Sequence, residues 1–373
     1  MIERGTALAI DSCMMNTNGW LGLLATITAC STPGGANPPT EDAATPSGDA
    51  APFTLGVSTL AGVAEHGDLD GDRSVARFSN PVNALLGADG LLYVADFDNG
   101  RIRTIDHLGN VATLISQTGF KRPFGMAWSA SGTLYVQTDN DATGAQSATA
   151  GTIWSVDVSA HTATVLVGGL GRPRGLAVLA DGRIAMADDL HDVIEILDPR
   201  TKVVTVLAGV VDAPGYIDAT GAAARFSRPY SLAVRADGKL VVSDYSNHRI
   251  RLVDVATGAV TTLAGTGAAG YLDGSRASAL FNLPRAVAID ASGDIYVTEA
   301  GNFRVRRIRG DVVETVAGNG IAGYIDADDR LAAERYGLEG MAVSSDGTTL
   351  YIADGNRGED VPYNRLRLVD MTH

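Results

Sequence analysis

Six positions along the chain combine regular spacing with side chains that could bind a ligand. Five prolines, and Leu338 in a sixth place, recur about every 40 to 55 residues, each ahead of an apolar segment. The prolines are Pro81, Pro123, Pro173, Pro229 and Pro284, and the residues that directly follow the six positions are Val82, Phe124, Arg174, Tyr230, Arg285 and Glu339. Equivalent positions in a repeat meet at one place, so these six side chains should share one site.

The chemistry of that set suits a polar or anionic ligand. Two guanidinium groups, one carboxylate and two aromatic rings are available, and arginine can grip a carboxylate or a phosphate through two parallel hydrogen bonds. We therefore predict a ligand site formed by Phe124, Arg174, Tyr230, Arg285 and Glu339. The simpler alternative is that Arg285 and Glu339, in neighbouring repeats, pair with each other while Tyr230 fills space.

A second group of polar residues recurs in nearly every repeat and has a structural explanation. An acidic residue closes the second apolar segment, with Asn and Arg following it; the acids are Asp96, Asp188, Asp244, Glu299 and Asp354, with Thr138 in the second repeat. Carboxylates in this place can accept hydrogen bonds from turn backbone and from the arginines. The alternative is a ring of carboxylates that binds cations.

No catalytic or metal-binding set is predicted. The six histidines are His66, His107, His161, His191, His248 and His373, and they fall at unrelated depths within the repeat. A zinc site would need several of them to converge. The sequence has no serine elbow, P-loop or HExxH motif, and we predict no resident cofactor.

The elements that position these residues are short strands. In the fourth repeat, alternation and turn residues predict strands from Ser231 to Arg235, Leu240 to Ser243, Ile250 to Asp254 and Val260 to Leu263. Such a four-stranded meander cannot bury its faces alone and needs copies of itself. Six copies predict an all-β protein, a six-bladed β-propeller, in which the residues after the prolines face the mouth of a central channel.

The sixth repeat is one strand short, and the missing strand is found ahead of the first repeat. Val57 to Gly62 (VSTLAG) resembles the fourth strands of later repeats, such as TTLAG and TVAG. We expect this segment to complete the last blade, so that the ring closes without a free sheet edge.

At this point the chain resembles the NHL-repeat family over roughly residues 58 to 370. The resemblance is carried by PYSLAV (Pro229 to Val234), VSD (Val242 to Asp244), NHRIR (Asn247 to Arg251) and the linker AGTGAAGYLDG (Ala264 to Gly274), which recurs before two other repeats. The resemblance implies the propeller fold. The family implied includes binding modules, some lyases and many bacterial surface proteins. The related gluconolactonase group would imply a calcium-dependent site, for which Glu339, Asn83 and Asp188 are the candidates.

The net charge limits which partners are compatible with this chain, and the N-terminal sequence indicates its compartment. A net charge of −14 argues against nucleic acid, because phosphate binding draws on a basic surface. Residues 1–30 resemble a signal peptide that ends in a lipobox, with Cys30 as the lipidated residue; an ordinary cleaved signal and a cytosolic extension are the alternatives. Residues 31–56 read as a flexible acidic tether, and residues 57–373 as the propeller.

Two functions remain compatible with these residues. The first is an exported, monomeric binding scaffold, anchored to a membrane only through lipid at Cys30, that binds a protein, peptide or glycan and uses no cofactor. The second is a channel-mouth enzyme, a metal-assisted lactonase or hydrolase, for which Ca²⁺ would be the cofactor.

Overall fold

The chain folds into six antiparallel sheets, which form the blades of a β-propeller. A computed structural model describes residues 56–335, 337–355 and 363–372. The first five blades each have four strands that are consecutive in the sequence, and blade five has one additional short strand. The sixth blade has three consecutive strands and takes its fourth from residues 57–61. Each sheet buries both of its faces against neighbouring blades, and the strand at Leu92–Asp96, for example, is therefore buried at every residue. The all-β six-bladed fold predicted from the sequence is confirmed.

The strands of the first three blades follow the repeats closely. A first strand, β1 (Val57–Ala61), precedes blade one. Blade one is β2 (Pro81–Leu86), β3 (Leu92–Asp96), β4 (Arg101–Ile105) and β5 (Val111–Ser116). Blade two is β6 (Pro123–Trp128), β7 (Leu134–Thr138), β8 (Gly151–Asp157) and β9 (Thr162–Leu170). Blade three is β10 (Pro173–Val178), β11 (Ile184–Asp188), β12 (Val193–Asp198) and β13 (Val203–Gly209).

The remaining blades repeat this order. Blade four is β14 (Pro229–Val234), β15 (Leu240–Asp244), β16 (Arg249–Val253) and β17 (Val260–Ala264), with single 3₁₀ turns at Gly221–Ala223 and Tyr245–Asn247. Blade five is the short β18 (Gly274–Ser275) with β19 (Pro284–Ile289), β20 (Ile295–Glu299), β21 (Arg304–Arg309) and β22 (Val312–Ala317). Blade six is β23 (Gly340–Val343), β24 (Thr349–Asp354) and β25 (Arg365–Asp370), completed by β1.

The ring is closed by β1, as the sequence predicted. This strand pairs antiparallel with β25, and Val57 lies opposite Val369 while Thr59 lies opposite Arg367. Its side chains at Val57 and Leu60 are 0% and 2% exposed. The last blade therefore takes its outer strand from the beginning of the propeller sequence.

The inner strands of neighbouring blades lie very close together. A Cβ added at Gly340 would lie 2.5 Å from the carbonyl oxygen of Val82, and one at Gly175 would lie 2.9 Å from the Cα of Ser231. Only a residue without a side chain fits such an approach. These contacts set the narrow bore of the channel.

Four of the six linkers between blades form a loop that we call an arm. The arms are residues 67–78, 215–226, 270–281 and 323–335, and each runs along the outer strand of the blade it leads into, namely blades one, four, five and six. The linkers into blades two and three, residues 117–122 and 171–172, are too short to form one. Among the residues that the structure describes, arms therefore cover four outer edges, and no arm covers those of blades two and three.

The core lies between the blades. Each cluster of buried apolar residues joins two or more neighbouring sheets, and Leu60, Phe78, Leu92 and Leu366, for example, join blade six to blade one. Phe78, Phe120, Phe226 and Phe281, each from a linker, are fully buried. Within the described residues, no helix is long and apolar enough to pass through a bilayer.

Candidate functional site

The six inner strands surround a channel with a cavity of about 400 Å³. Most of its lining consists of alanine, leucine, valine and methionine side chains and of strand backbone. Phe124, Arg174, Tyr230 and Glu339 line it at the end where the inner strands begin. These four belong to the set predicted from the repeat, so the structure brings them together around one channel end.

Three of the predicted residues form a closed polar network, which we call the plug: Tyr230, Arg285 and Glu339. The Arg285 guanidinium makes an ion pair with the Glu339 carboxylate, and the Tyr230 hydroxyl donates a hydrogen bond of 2.8 Å to Glu339 Oε2. All three residues are less than 9% exposed, and burial raises the pKa of the Tyr230 hydroxyl above its usual value. The structure shows the pair between Arg285 and Glu339 that the simpler alternative predicted, but Tyr230 donates a hydrogen bond to this pair and does not merely fill space.

Arg174, the third charged residue of the predicted set, also has protein partners. Its Nη2 donates a hydrogen bond of 2.7 Å to Asp139 Oδ2, and its guanidinium lies 4.4 Å from the centre of the Phe124 ring. Phe124 itself packs edge-on against Tyr230, with ring centres 5.6 Å apart. Arg174 therefore joins the plug to the loop after β7, whose first residue is Asp139.

Around the plug lies a half-exposed set of arginines that sequence reasoning missed, and we call Arg122, Arg172 and Arg228 the rim. Arg228 Nε donates a hydrogen bond of 3.1 Å to the buried Asp189, and its side chain is 48% exposed. Arg172 is 38% exposed beside Asp139. Each of these arginines directly precedes a repeat proline, so the sequence contained a signal for them. It contained none for their acidic partners, because Asp139 lies in the long loop after β7 and the position of Asp189 is not acidic in blades one, four and five.

Each rim guanidinium that contacts a ring is supported from one side. Arg228 lies 5.1 Å from the Tyr245 ring centre and Arg122 lies 5.6 Å from that of Phe97. Such cation–π contacts hold the face of the planar guanidinium in place, and its N–H groups lie in the plane at its edge, where they can donate hydrogen bonds. The loop-bearing face of the propeller, where the inner strands begin, thus carries pre-positioned hydrogen-bond donors.

The recurring acids are structural, as expected from their repetition. In blade one, Asp96 accepts hydrogen bonds from the Ser79 N–H (2.8 Å), Asn99 Nδ2 (2.8 Å) and Arg103 Nη1 (3.0 Å). Asp244 and Glu299 have equivalent partners in blades four and five. The arginine is fully buried in each case, and the hydrogen bonds of these carboxylates serve to join the strands.

Blade three departs from this arrangement. Glu195 lies opposite Met186 on β11, where blades one, four, five and six place a buried arginine, such as Arg103 opposite Val94. Asp188 is fully buried, and its Oδ2 has no hydrogen-bond donor, although His191 Nδ1 lies 3.2 Å away. Glu195 Oε2 has no hydrogen-bond partner either. Burial, and then the charge of Asp188, raise the pKa of Glu195 to about 7.

This raised pKa makes stability depend on pH. Glu195 ionises near 4.5 when unfolded but only near 7 when folded, so the folded state holds a proton that the unfolded state has lost. Its stabilising contribution is present below about pH 4.5 and is lost as pH rises through 7. We expect Glu195→Gln to gain about 1–3 kcal/mol of stability relative to wild type at pH 8 but not at pH 5.

Urea unfolding at several pH values measures this effect. His191→Asn, made in parallel, separates the contribution of the imidazole beside Asp188. If wild type and Glu195→Gln keep the same difference in unfolding free energy at pH 5 and pH 8, the raised pKa is wrong.

The three candidates for a lactonase-like calcium site already have protein partners. Glu339 is part of the plug, and Asn83 Nδ2 donates to the Phe124 carbonyl oxygen at 3.0 Å. Asp188 Oδ1 accepts from the N–H groups of Arg172, Leu190 and His191. No group of three or more His, Cys, Asp or Glu side chains is arranged to hold a metal ion within residues 56–335, 337–355 and 363–372. Cys30, His373 and residues 1–55 lie outside the described residues.

Comparison with known proteins supports the repeat assignment. Residues 281–308 match the NHL repeat, and they cover β19, β20 and all but the last residue of β21 in blade five. Protein Suppressor of quenching 1 from Arabidopsis thaliana chloroplasts is 28% identical over 280 residues, which are 65% of this chain and 26% of that protein. NHL repeat-containing protein 2 from Bos taurus is 32% identical over 37% of this chain and 21% of its own. The chain spans about a quarter of the length of these relatives.

Solved structures share the fold at low identity. An auxiliary nutrient binding protein from Bacteroides thetaiotaomicron has a TM-score of 0.66 at 19% identity and covers 84% of this chain, with 75% of its own length aligned. A gluconolactonase from Xanthomonas campestris has a TM-score of 0.55 at 16% identity and covers 84% of this chain and 89% of its own. At such identities the likeness shows a common propeller architecture.

Proposed function

We infer that this six-bladed β-propeller with an NHL repeat is a binding scaffold, which presents its loop-bearing face to a protein, peptide or glycan ligand. The observation that supports this most is the plug: Arg285, Glu339 and Tyr230 are committed to one another. A general base or a nucleophile must be available to substrate. A closed network instead makes a rigid base beneath a binding surface.

The rim supplies the contacts of that surface. Three arginines whose positions are set by buried carboxylates and aromatic rings lose little side-chain entropy when they bind. Arginine forks suit carboxylates, backbone carbonyls and sugar hydroxyls, which are the groups that peptides and glycans offer. Nucleic acid is a poor ligand for a chain of net charge −14. A nutrient-binding protein among the structures of like fold agrees with a binding role.

The compartment belongs to the same proposal. An exported protein, lipid-anchored at Cys30 and held off the membrane by residues 31–56, would expose the loop-bearing face of a monomeric propeller to ligands outside the cytoplasm. Mass spectrometry of the mature N-terminus from cells tests this directly. A diacylated Cys30 supports it, and an intact N-terminus contradicts it.

Reversal of charge at the rim should abolish ligand binding without unfolding the protein. Peptide and glycan arrays probed with wild type identify the ligand, and Arg122→Glu with Arg228→Glu is expected to lower affinity for it at least about 30-fold, since two arginine contacts are worth roughly 2 kcal/mol. Arg200→Glu, 80% exposed in a turn of blade three, is the matched control and should bind like wild type.

The enzyme alternative has its own outcome in this experiment. For a metal-assisted lactonase, 5 mM Ca²⁺ should raise the melting temperature relative to chelator, and gluconolactone should be hydrolysed. Both effects together, with array binding unaffected by the rim substitutions, would replace the scaffold proposal by the lactonase.

A further inference from the structure

The outer strands of blades two and three are free sheet edges. β9 and β13 each end their sheet, and within the described ranges no other segment pairs with their outer side. Their apolar side chains Val165, Val203 and Val206 are 36%, 54% and 47% exposed. Such edges carry unpaired backbone N–H and C=O groups that can pair with another strand.

The four covered blades show how this propeller binds an extended segment at an outer edge. In blade one, the arm pairs antiparallel with β5 through Gly71 and Val111. The arm residue Asp70 accepts a hydrogen bond of 3.0 Å from the Thr113 N–H. It also forms an ion pair with the buried Arg103, with 2.5 Å between Arg103 Nη2 and Asp70 Oδ1. One acidic side chain from the arm therefore meets one arginine from the blade.

Blades four, five and six repeat this contact. The arm acids are Asp218, Asp273 and Asp326, the blade arginines are Arg251, Arg306 and Arg367, and the outer-strand threonines are Thr262, Thr315 and Thr59. The arginine-to-acid distances are 2.5 to 2.6 Å in all of them. The same geometry, used four times, defines what an outer edge of this protein recognises.

Blade three keeps the edge but reverses the charge. Strand registers place Glu195 at the position of Arg103 and Val206 at that of Thr113. By the same registers, the N–H groups of Val204 and Val206 point away from the sheet, like those of Val111 and Thr113, which bind the arm in blade one. Glu195 and the fully buried Asp188 each have a carboxylate oxygen with no hydrogen-bond partner.

We propose that β13 is a docking strand for an extended segment of another protein, in which a lysine or arginine takes the place that aspartate has in the arms. The incoming backbone pairs with the outer edge of β13, and the cation reaches the two carboxylate oxygens that accept no hydrogen bond, Glu195 Oε2 and Asp188 Oδ2. Charge complementarity selects this occupant. Residues 31–55 of the chain contain no lysine or arginine, and β13 itself contains none, so neither this tether nor a second β13 supplies the cation.

Blade two provides an internal comparison. Its outer edge is free as well, but Trp154 and Thr138 take the places of the arginine and the acid, and the Trp154 Nε1 donates to Thr138 Oγ1 at 2.8 Å. This neutral pair has nothing to offer a charged side chain. The proposed selectivity for a cation is therefore a property of blade three alone.

Two synthetic peptides test the proposal. The first has the sequence of residues 213–222, APGYIDATGA, from the arm of blade four, and the second is the same peptide with Asp218→Arg. Fluorescence anisotropy with the full chain should show the arginine peptide binding at least about tenfold more tightly than the aspartate peptide. In Glu195→Arg, which recreates the arrangement of the other blades, the preference should reverse.

Two further variants locate the binding. Val206→Pro removes an outward N–H group without touching the inner ladder, and it should weaken the arginine peptide by about tenfold or more. Asp237→Asn, an exposed acid in a turn of blade four, should change nothing. If both peptides bind wild type equally, if neither binds at about 1 mM, or if Glu195→Arg keeps the wild-type preference, the proposal is wrong. A dimer that Val206→Pro dissolves would assign β13 to self-association instead.

Discussion

Deletion of residues 1–64 is expected to turn the propeller into an aggregating protein, whereas deletion of residues 1–50 should leave its melting temperature unchanged. The longer deletion removes β1, whose pairing with β25 closes the ring. It exposes the apolar surfaces against which Val57 and Leu60 pack, at about 1.5–3 kcal/mol for each lost side chain. It also leaves β25 as a free, apolar strand edge.

Size-exclusion chromatography and thermal melting of both deletions measure this effect. Leu60→Asp in the full chain is a matched point variant, because it keeps the backbone of β1 but places a charge where the leucine side chain is 2% exposed. It should destabilise the protein without exposing the backbone edge. A soluble monomer with the wild-type melting temperature after removal of residues 1–64 would contradict closure by β1.

Arg251→Met is expected to cost about 3–5 kcal/mol of stability, because it leaves a buried carboxylate without its cation. Arg251 is fully buried and donates to Asp244 at 2.5 Å and to Asp218 at 2.6 Å. It also donates to the carbonyl oxygens of Arg225 and Ile217, both at 3.1 Å. One side chain thus ties the arm of blade four to the strands beneath it.

A double variant can show whether Arg251→Met destabilises the protein through the uncompensated charge or through lost packing. Asp244→Asn combined with Arg251→Met removes the uncompensated charge, so the double variant should recover a large part of the stability in urea unfolding. Arg249→Met is the control, since this arginine is part of the same strand but is only partly buried. A double variant as unstable as the single one would show that the loss came from packing rather than charge.

The fold was predictable because the sequence contains six copies of the same blade pattern. Period-2 alternation, the repeat proline and the Gly turns recur so often that an error in predicting one blade is corrected by the pattern of another. In the fourth blade, each strand begins within two residues of its predicted first residue. The closing strand was predictable for the same reason: VSTLAG matches the fourth strands of other blades, and β1 pairs where such a strand belongs.

The site was predictable in position but not in partners. The spacing identifies Phe124, Arg174, Tyr230 and Glu339 as neighbours at the channel, but it cannot show that Arg285 and Glu339 neutralise each other. Asp139 lies in a loop that is longer than its equivalents, and the position of Asp189 holds Phe97, Tyr245 or Ala300 in blades one, four and five, so no repeat pointed to either acid. The reversal at Glu195 is visible in the sequence only when the register of β12 is known, because the arginine it replaces is one residue among several in RIRTI and RIRLV.

The strand that seals the ring has a consequence for how the chain reaches its native state. Asn364 Nδ2 donates to the carbonyl oxygen of Ala64 across 300 residues of sequence, and β1 finds β25 over a similar span. Contacts between such distant segments form late, since the entropy of closing the loop must be offset by structure that already exists. During synthesis, β1 is made before the other strands of the propeller and stays unpaired until β25 has been made. In newly made chains, β1 is therefore the exposed segment that a chaperone would have to protect.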